Sequence, residues 1–187
     1  MTTLIGITGL ARSGKDEFSK TFVKHGFKRA AFANALKTTV AYIANEDAPL
    51  YFDDVTKEEF SDALGMTRRS ALQLMGSAVR DTLGVDTWVN RTIRGWKAQG
   101  RQPTVITDCR YPNEAEAIKA EGGIIVRIIR PGAGLTGVQG AHESERGLPD
   151  DLVDIEITND GSLGELAAEA LKVIYIAVGP LGEEASE

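Results

Sequence analysis

A glycine-rich segment near the start of the chain contains the residues best suited to chemistry. Residues 9–16 read Gly-Leu-Ala-Arg-Ser-Gly-Lys-Asp and directly follow the apolar run of residues 4–8. The spacing of Gly9, Gly14 and Lys15 matches G-x(4)-G-K, the beginning of the phosphate-binding P-loop signature. In such a loop, backbone N–H groups and the N-terminus of the next helix surround anionic oxygens, and the lysine adds a mobile cation. The segment therefore predicts a binding site for phosphate groups.

One position of this segment departs from the signature. Asp16 stands where most such loops have Ser or Thr, whose hydroxyl group binds magnesium. A carboxylate is also a hard oxygen ligand, so Asp16 could hold the ion directly or through water. It could equally orient an acceptor hydroxyl group or stabilise the N-terminus of the helix. The sequence leaves these roles open.

A second group of polar residues follows an apolar run in the middle of the chain. Residues 104–108 are expected to form a buried parallel strand with Asp108 at its carboxyl end. Ligands gather at the carboxyl ends of parallel strands, where the glycine-rich loop also opens. Asp108 can organise magnesium and its waters, and Arg110 can hold a phosphate with two hydrogen bonds. The alternative is a buried Asp–Arg pair that serves only the fold.

A third group of residues lies on a predicted helix. Arg69, Gln73 and Arg80 share one helical stripe, and Arg68 lies next to it. Such side chains can clamp a monophosphate and contact a base edge, although a solvated basic face is the alternative. Two further residues, Asp86 and Trp88, are candidates for the same ligand, with the indole ring as a stacking surface or as a core residue.

Two more candidates lie in the last third of the chain. Residues 131–150 form a polar, glycine-rich segment of the kind that often serves as a lid. Arg130, at the end of the preceding strand, is the favoured cation for stabilising negative charge that develops in a transition state. Asn159, in the turn after the last strand, is expected near the glycine-rich loop, where backbone groups of the turn could line an adenine pocket.

The chain has 187 residues, a hydrophobic content of 42%, a charged content of 26% and a net charge of −6. The acidic balance argues against a nucleic-acid partner, because a broad basic surface is absent. The single Cys109 excludes an internal disulfide and is expected to be a small buried residue. No apolar run has the length of a membrane span, and the first residues are expected to form a core strand. We therefore expect a cytoplasmic protein without a membrane partner.

Strands and helices alternate along the chain, which predicts an α/β fold with a central parallel sheet between two layers of helices. Strands are expected at residues 4–8, 28–33, 104–108, 124–129 and 154–158. We expect one domain whose core comprises residues 1–33, 99–130 and 151–178, with a helical insertion at 34–98 and a lid at 131–150.

Capping residues and apolar spacing predict local features of the helices. Thr56–Glu59 is predicted to be a capping box that opens a short helix, and Thr67 is expected to cap a helix over 68–81. Ser162–Glu165 forms a second predicted capping box. In the first helix of the insertion, the apolar residues expected on one face are Leu36, Val40 and Ile43.

Several short blocks together resemble the deoxynucleoside monophosphate kinases of tailed bacteriophages. These blocks are the glycine-rich loop and residues 31–37, 72–76, 86–89, 107–114 and 142–145. The similarity runs from about residue 3 to residue 172. It implies a three-layer P-loop fold with a central parallel sheet, a helical insertion that binds the nucleoside monophosphate, and a lid. It also implies transfer of the γ-phosphoryl group of ATP to a deoxynucleoside monophosphate, with Mg²⁺ as the metal.

The resemblance implies a role for each matching residue. Lys15, Asp16 and Arg130 would be catalytic, and Asp16 and Asp108 would bind the metal. The ATP-binding residues would be Gly9, Ala11, Arg12, Ser13, Gly14, Lys15, Asp16 and Asn159. The acceptor-binding residues would be Lys37, Arg68, Arg69, Gln73, Arg80, Asp86, Trp88, Asp108, Arg110, His142 and Glu145.

Other interpretations of the same residues remain open. P-loop kinases that resemble dephospho-CoA kinase or phosphomevalonate kinase share the loop but use other acceptors. A nucleotide-binding ATPase is disfavoured by the arginine stripe and the acidic charge, and a noncatalytic binding module is suggested only by Asp16. Relatives of this kind are often homodimers, and Trp96 or the last helix could supply the interface.

Overall fold

The computed structural model describes residues 4–134 and 147–179. These residues form two compact units, one made of the chain up to residue 31 and from residue 95 onward, and the other of residues 32–94. Unit two covers residues 32–94, whereas the helical insertion was predicted at residues 34–98. The binding roles expected for these segments remain predictions.

Unit one contains a five-stranded parallel sheet. Its strands, from one edge to the other, are β2 (Lys28–Ala30), β5 (Thr104–Ile106), β1 (Leu4–Thr8), β6 (Ile124–Ile129) and β7 (Ile155–Thr158). The expected parallel sheet is therefore confirmed. Strand β1 lies at its centre and is buried throughout, which places the glycine-rich loop after the middle strand.

Both faces of this sheet are covered by helices. Helix α1 (Lys15–Lys24) and helix α6 (Leu163–Val178) pack together on one face, where Phe18 and Phe22 join an apolar core with Ile5 and Ile7. Helix α5 (Pro112–Ala120) covers the other face. These are the predicted three layers.

Some strand ends and one helix cap agree with the predictions made from the sequence. Strand β6 has the predicted bounds, whereas β2 and β5 end three and two residues earlier than expected. The Ser162 side chain accepts a hydrogen bond from the Glu165 backbone N–H, so the capping box that opens α6 is confirmed.

Unit two is mainly helical. It contains α2 (Ala33–Ala44), α3 (Arg68–Leu83) and most of α4 (Thr87–Ala98). The small core of this unit is formed by Val40, Ala41, Ala44, Tyr51 and Ala71. The expected inward position of Ile43 is wrong, because 56% of this residue is exposed and Ala44 takes the inward position.

The segment between α2 and α3 differs from its prediction. Thr56 opens only a single 3₁₀ turn that ends at Glu58, without a side-chain cap. The carboxylate of Asp53 instead accepts hydrogen bonds from the N–H groups of Val55 and Thr56, both at 2.9 Å. A short antiparallel hairpin follows, made of β3 (Phe60–Ser61) and β4 (Met66–Thr67). Thr67 caps α3 as predicted, by accepting from the Ser70 N–H.

Two surface features bear on the predicted homodimer. Trp96 is 6% exposed and donates its indole N–H to the Gln102 carbonyl at 2.8 Å, so it is a core residue. Helix α6 instead exposes Leu171, Tyr175 and Ile176. Within the described ranges, no helix combines the length and apolar character needed to cross a membrane.

Candidate active site

The loop between β1 and α1 adopts a backbone that requires glycine at two positions. Gly9 and Gly14 have φ angles of 140° and 101°, and Arg12 between them has a φ of 65°. A Cβ atom at Gly9 would come closer than 3.0 Å to the Ile128 carbonyl oxygen. A Cβ atom at Gly14 would come equally close to the side-chain nitrogen of Asn159. The loop therefore needs both glycines, for backbone angle and for space.

The hydroxyl group of Ser13 is buried within this loop. Ser13 is 1% exposed, and its Oγ atom has no hydrogen-bond partner among the residues that the structure describes. Leaving a buried hydroxyl group unpaired costs about 1–3 kcal/mol. An anionic oxygen bound in the loop would remove this cost, so the loop fits the phosphate groups that its sequence predicts.

Lys15 lies folded back on its own loop. Its Nζ atom donates to the carbonyl oxygens of Gly9 at 2.7 Å and Leu10 at 2.6 Å. The ammonium group is therefore held beside the loop by two neutral acceptors. Hydrogen bonds from an ammonium group to anionic oxygens are stronger than those to neutral acceptors, so a bound phosphate can compete for this cation.

Asp16 is paired with a residue that the sequence interpretation did not select. The guanidinium group of Arg29, on strand β2, forms an ion pair with the Asp16 carboxylate. Both side chains are more than half exposed, so the pair adds little to stability. Arg29 belongs to no motif, and only the parallel pairing of β2 brings it to the first turn of α1.

Asn159 contacts the loop through its side chain. Its Nδ2 atom donates to the Ser13 carbonyl at 2.8 Å, while its backbone N–H donates to the Ile129 carbonyl at 2.7 Å. The structure thus places this predicted site residue directly against the glycine-rich loop.

The segment after β5 is held in place by a buried glutamate. The Oε2 atom of Glu114 accepts from the backbone N–H groups of Arg110 at 2.7 Å and Tyr111 at 3.1 Å. The Cys109 N–H donates to the Ile7 carbonyl at 3.1 Å, which fixes the segment beside the end of β1. Asp108 and Arg110 are both half-buried there.

Cys109 is fully buried, as predicted. Burial raises the pKa of its thiol well above the ordinary value, and the carboxylates of Glu114 and Asp108 raise it further. The thiol is therefore neutral at physiological pH, which excludes it as a nucleophile.

A cavity of about 300 Å³ adjoins the loop. It is lined by Gly9, Ser13 and Arg130, among other residues, and Arg130 is exposed. The neighbouring Gly134 N–H donates to the Ala11 carbonyl at 2.9 Å, so the chain that leaves β6 contacts the loop. The predicted site residues His142 and Glu145 lie outside the described residues.

Arg127 also lines this cavity but is held by protein groups. Its Nη1 atom contacts Asp150 at 2.6 Å and Glu156 at 2.7 Å, and its Nη2 atom donates to the Leu148 carbonyl. These contacts join β6 to β7 and to the residues that precede β7.

Within unit two, most of the predicted acceptor-binding residues are only partly exposed. Arg69 forms an ion pair with Glu58, and the Lys37 ammonium lies 4.9 Å from the centre of the Phe52 ring. Gln73 and Arg80 are half-buried on α3, and Asp86 is exposed just before α4. Trp88 is half-buried, and its indole N–H donates to the Gly76 carbonyl at 3.4 Å.

Arg68 differs from its neighbours because it is enclosed by its own unit. Its side chain is 9% exposed and contacts both carboxylate oxygens of Glu46, at 2.9 and 3.2 Å, as well as the Thr56 carbonyl at 3.0 Å. Hydrogen bonds from Arg68 and Tyr51 lower the pKa of Glu46 to about 2. Its donors are engaged in a buried ion pair, which favours a structural role for Arg68, and its expected contact with the acceptor stays a prediction.

Within residues 4–134 and 147–179, no three His, Cys, Asp or Glu side chains are grouped closely enough to hold a metal ion. Asp16 and Asp108 could still contribute, because Mg²⁺ keeps several waters and needs only one or two carboxylates beside substrate phosphates.

Comparison with known proteins identifies similar sequences. Residues 85–170 match the family model of deoxynucleotide monophosphate kinase. The deoxynucleotide monophosphate kinase of Escherichia phage RB69 is 39% identical over 70 residues, which cover 37% of this chain and 28% of that protein. The enzyme of the same name from Enterobacteria phage T4 is 37% identical over 72 residues, which cover 38% of this chain and 29% of that protein. The chain thus covers less than a third of the length of either phage protein.

A third relative is similar over almost its whole length. It is a protein of Acanthamoeba polyphaga mimivirus that carries the same enzyme name in provisional form. It is 27% identical over 186 residues, which cover 91% of this chain and 95% of that protein.

Solved structures with the same fold share little sequence with this chain. Dephospho-CoA kinase from Campylobacter jejuni matches with a TM-score of 0.55 at 14% identity, over 96% of this chain and 99% of that one. TT1252 from Thermus thermophilus matches with a TM-score of 0.58 at 18% identity, over 95% and 98%. These matches confirm the predicted P-loop α/β fold.

Proposed function

Because this chain is related to the deoxynucleotide monophosphate kinases, we propose that it transfers the γ-phosphoryl group of ATP to a deoxynucleoside monophosphate. The products are ADP and a deoxynucleoside diphosphate. The family match covers residues 85–170, and the glycine-rich loop lies outside it, so the two lines of support are separate.

The glycine-rich loop carries the donor half of the proposal. Gly9 and Gly14 allow the positive φ angles of this loop, and the buried Ser13 hydroxyl group has a hydrogen bond to give. The first N–H groups of α1 add a partial positive charge at the same place. These features support binding of the ATP phosphates at residues 9–16.

Lys15 and Arg130 are the proposed cations for the transferred group. Transfer passes through a loose transition state whose charge is spread over the phosphoryl oxygens, so stabilisation by cations matters more than a general base. Lys15 leaves the Gly9 and Leu10 carbonyls and donates to phosphate oxygens instead. Arg130, exposed beside the cavity, approaches the same group.

Mg²⁺ fits the acidic side chains of the loop region. Asp16 and Asp108 would hold the ion together with phosphate oxygens and water. The ion would neutralise phosphate charge during transfer. Asp16 exchanges its contact with Arg29 for this role.

The acceptor half of the proposal rests on the resemblance and on partly exposed side chains. The residues proposed to bind the deoxynucleoside monophosphate in unit two are Lys37, Arg69, Gln73, Arg80, Asp86 and Trp88. Arg110 in unit one is proposed to hold the acceptor phosphate with two hydrogen bonds.

A chromatographic assay tests the proposal. The protein is incubated with ATP and MgCl₂ and with dAMP, dCMP, dGMP or dTMP in turn, and the nucleotides are then separated by ion exchange. At least one acceptor should yield equal amounts of ADP and deoxynucleoside diphosphate. Dephospho-CoA belongs in the same panel, because the fold is shared with kinases of other acceptors.

The matched variants are Lys15→Ala and Lys20→Ala. Lys15→Ala removes the cation from the loop and should lower kcat by about 10³-fold. Lys20 lies on the same helix and pairs with Glu17, so its loss should leave turnover unchanged. Turnover of dephospho-CoA alone, or of no acceptor, would contradict the proposal.

A further inference from the structure

Asn159 joins the central sheet to the glycine-rich loop. Its backbone N–H is bound to the Ile129 carbonyl at the end of β6, and its side-chain amide is bound to the Ser13 carbonyl. The two hydrogen bonds are 2.7 and 2.8 Å long, and Asn159 is half-buried. The backbone of Asn159 is therefore fixed to the sheet, while its side-chain amide donates to the loop.

The Ser13 carbonyl belongs to the same peptide plane as the Gly14 N–H. In a planar trans peptide, the C=O and N–H bonds point in opposite directions, and the described peptide bonds include no cis bond. Holding the Ser13 carbonyl towards Asn159 therefore turns the Gly14 N–H away from Asn159. Gly14 directly precedes Lys15, so this N–H is one of the donors at the N-terminus of α1.

The Asn159 side chain lies so close to Gly14 that a side chain at position 14 would collide with it. A Cβ atom at Gly14 would come closer than 3.0 Å to the Asn159 Nδ2 atom. Gly14 has a φ of 101°, which side-chain-bearing residues rarely adopt. The Asn159 amide thus occupies the space that Gly14 leaves, and the two residues together fix this turn of the loop.

We propose that Asn159 is a positioning residue that aims the Gly14 N–H at a donor phosphate oxygen by holding the Ser13 carbonyl. The inference rests on the proposed function and differs from the expectation that this turn lines an adenine pocket with backbone groups. Asn159 acts on the phosphates of the donor, through the loop, and makes no contact with the base.

Binding of ATP and of inorganic tripolyphosphate separates these two roles. Tripolyphosphate has the phosphate chain of ATP but no adenine, so it responds to the loop alone. Titration calorimetry with each ligand and MgCl₂ is carried out on the wild type and on Asn159→Leu, a residue of similar shape that cannot donate. The expected result is that Asn159→Leu weakens both ligands by the same factor of about 10.

Two further variants control for folding and for charge. Asn159→Ala removes the donor without the bulk of leucine, and it should also weaken both ligands equally. Asp160→Ala changes the next residue of the turn, which is exposed, and should leave both affinities unchanged. Partial unfolding would lower the number of sites per chain and the melting temperature, whereas loss of positioning raises Kd at an unchanged number of sites.

The possible results lead to different conclusions. A loss of ATP affinity with unchanged tripolyphosphate affinity would overturn the proposal in favour of an adenine contact. Unchanged affinity for both ligands would overturn it outright. A wild-type protein that binds tripolyphosphate but phosphorylates no deoxynucleoside monophosphate would refute the proposed function. Equal loss of both affinities in Asn159→Leu would still support the role of Asn159 in that case.

Discussion

Replacing Arg68 tests whether this residue serves the fold or the substrate. The sequence places it beside the arginine stripe, but the structure encloses it in unit two, with three hydrogen bonds to Glu46 and Thr56. Arg68→Met keeps most of the apolar stem and removes the charge. We expect the variant to lose stability and to keep its affinity for the acceptor.

The size of the loss follows from Glu46, which stays behind without its cation. Its side chain is 17% exposed and would then keep the hydrogen bonds from the hydroxyl groups of Tyr51 and Ser61. Its pKa of about 2, against an ordinary value of 4.5, corresponds to about 3 kcal/mol of stability at neutral pH. Breaking a buried ion pair by removing one partner costs about 3–5 kcal/mol in general. Arg68 is the largest cause of this shift, but Tyr51 and Ser61 contribute to it and remain in the variant, so we expect Arg68→Met to lower the free energy of unfolding by about 2–3 kcal/mol.

Urea denaturation at pH 7 measures this loss. The wild type is compared with Arg68→Met, Glu46→Gln and the double variant, because the double variant leaves no unpaired buried charge and should recover part of the loss. Arg69→Met is the matched control for stability. Its ion pair with Glu58 lies nearer the surface, so its loss should cost less than about 1 kcal/mol.

The reasoning would be refuted by the opposite pair of results. These are a loss below about 1 kcal/mol for Arg68→Met together with a KM for the acceptor raised about tenfold or more. Arg68 would then be a substrate ligand, as its position in the sequence first suggested.

Three further predictions concern pH, the loop and the buried thiol. The pKa of Glu46 is lowered in the folded state, so its stabilising effect is present above pH 4.5 and is lost as the pH falls towards 2. Denaturation at several pH values should therefore show that the difference in unfolding free energy between wild type and Glu46→Gln shrinks over this interval. A constant difference would contradict the ion pair. In thermal unfolding, Gly14→Ala should lower the free energy of unfolding by about 1–3 kcal/mol more than Gly26→Ala does. Both glycines have positive φ angles, but of the two only Gly14 has other atoms within reach of an added Cβ atom. Equal losses would argue against the close contact with Asn159. Burial raises the pKa of the Cys109 thiol, so this residue should resist iodoacetamide at pH 8 in the native protein and react after addition of urea. Modification is measured by mass spectrometry. Rapid modification of the native protein would show that the thiol is accessible.

The sequence was sufficient for features that depend on neighbours along the chain. The loop of residues 9–16, the Thr67 cap and the Ser162 capping box are all local patterns with one physical solution. The parallel sheet followed from the alternation of apolar runs and helices. The family resemblance agrees with the comparisons, in which residues 85–170 match the model of deoxynucleotide monophosphate kinase and similar proteins have that name.

Features that depend on distant partners could not be predicted in the same way. Glu46 is 22 residues before Arg68, and nothing in either sequence context indicates that the two pair. Arg29 and Asp16 meet only because β2 lies beside β5 and not elsewhere in the sheet. Helical spacing also failed for Ile43, since one turn allows either Ile43 or Ala44 to face the core.

Short elements were missed because they carry too little signal. The hairpin of β3 and β4 has two residues in each strand, too few to show alternation of apolar and polar residues. Glu114 lay within a recognised block, yet its role was visible only when its carboxylate was found under the Arg110 and Tyr111 N–H groups.

The position of Lys15 has a consequence for any measured affinity of the loop. Its ammonium group already donates hydrogen bonds to the Gly9 and Leu10 carbonyls. A phosphate that binds to this group must therefore replace these two hydrogen bonds. The binding enthalpy is therefore a difference between two sets of hydrogen bonds to the same nitrogen. Weak binding by a single phosphate group and much tighter binding by a longer polyanion are the expected result of this exchange.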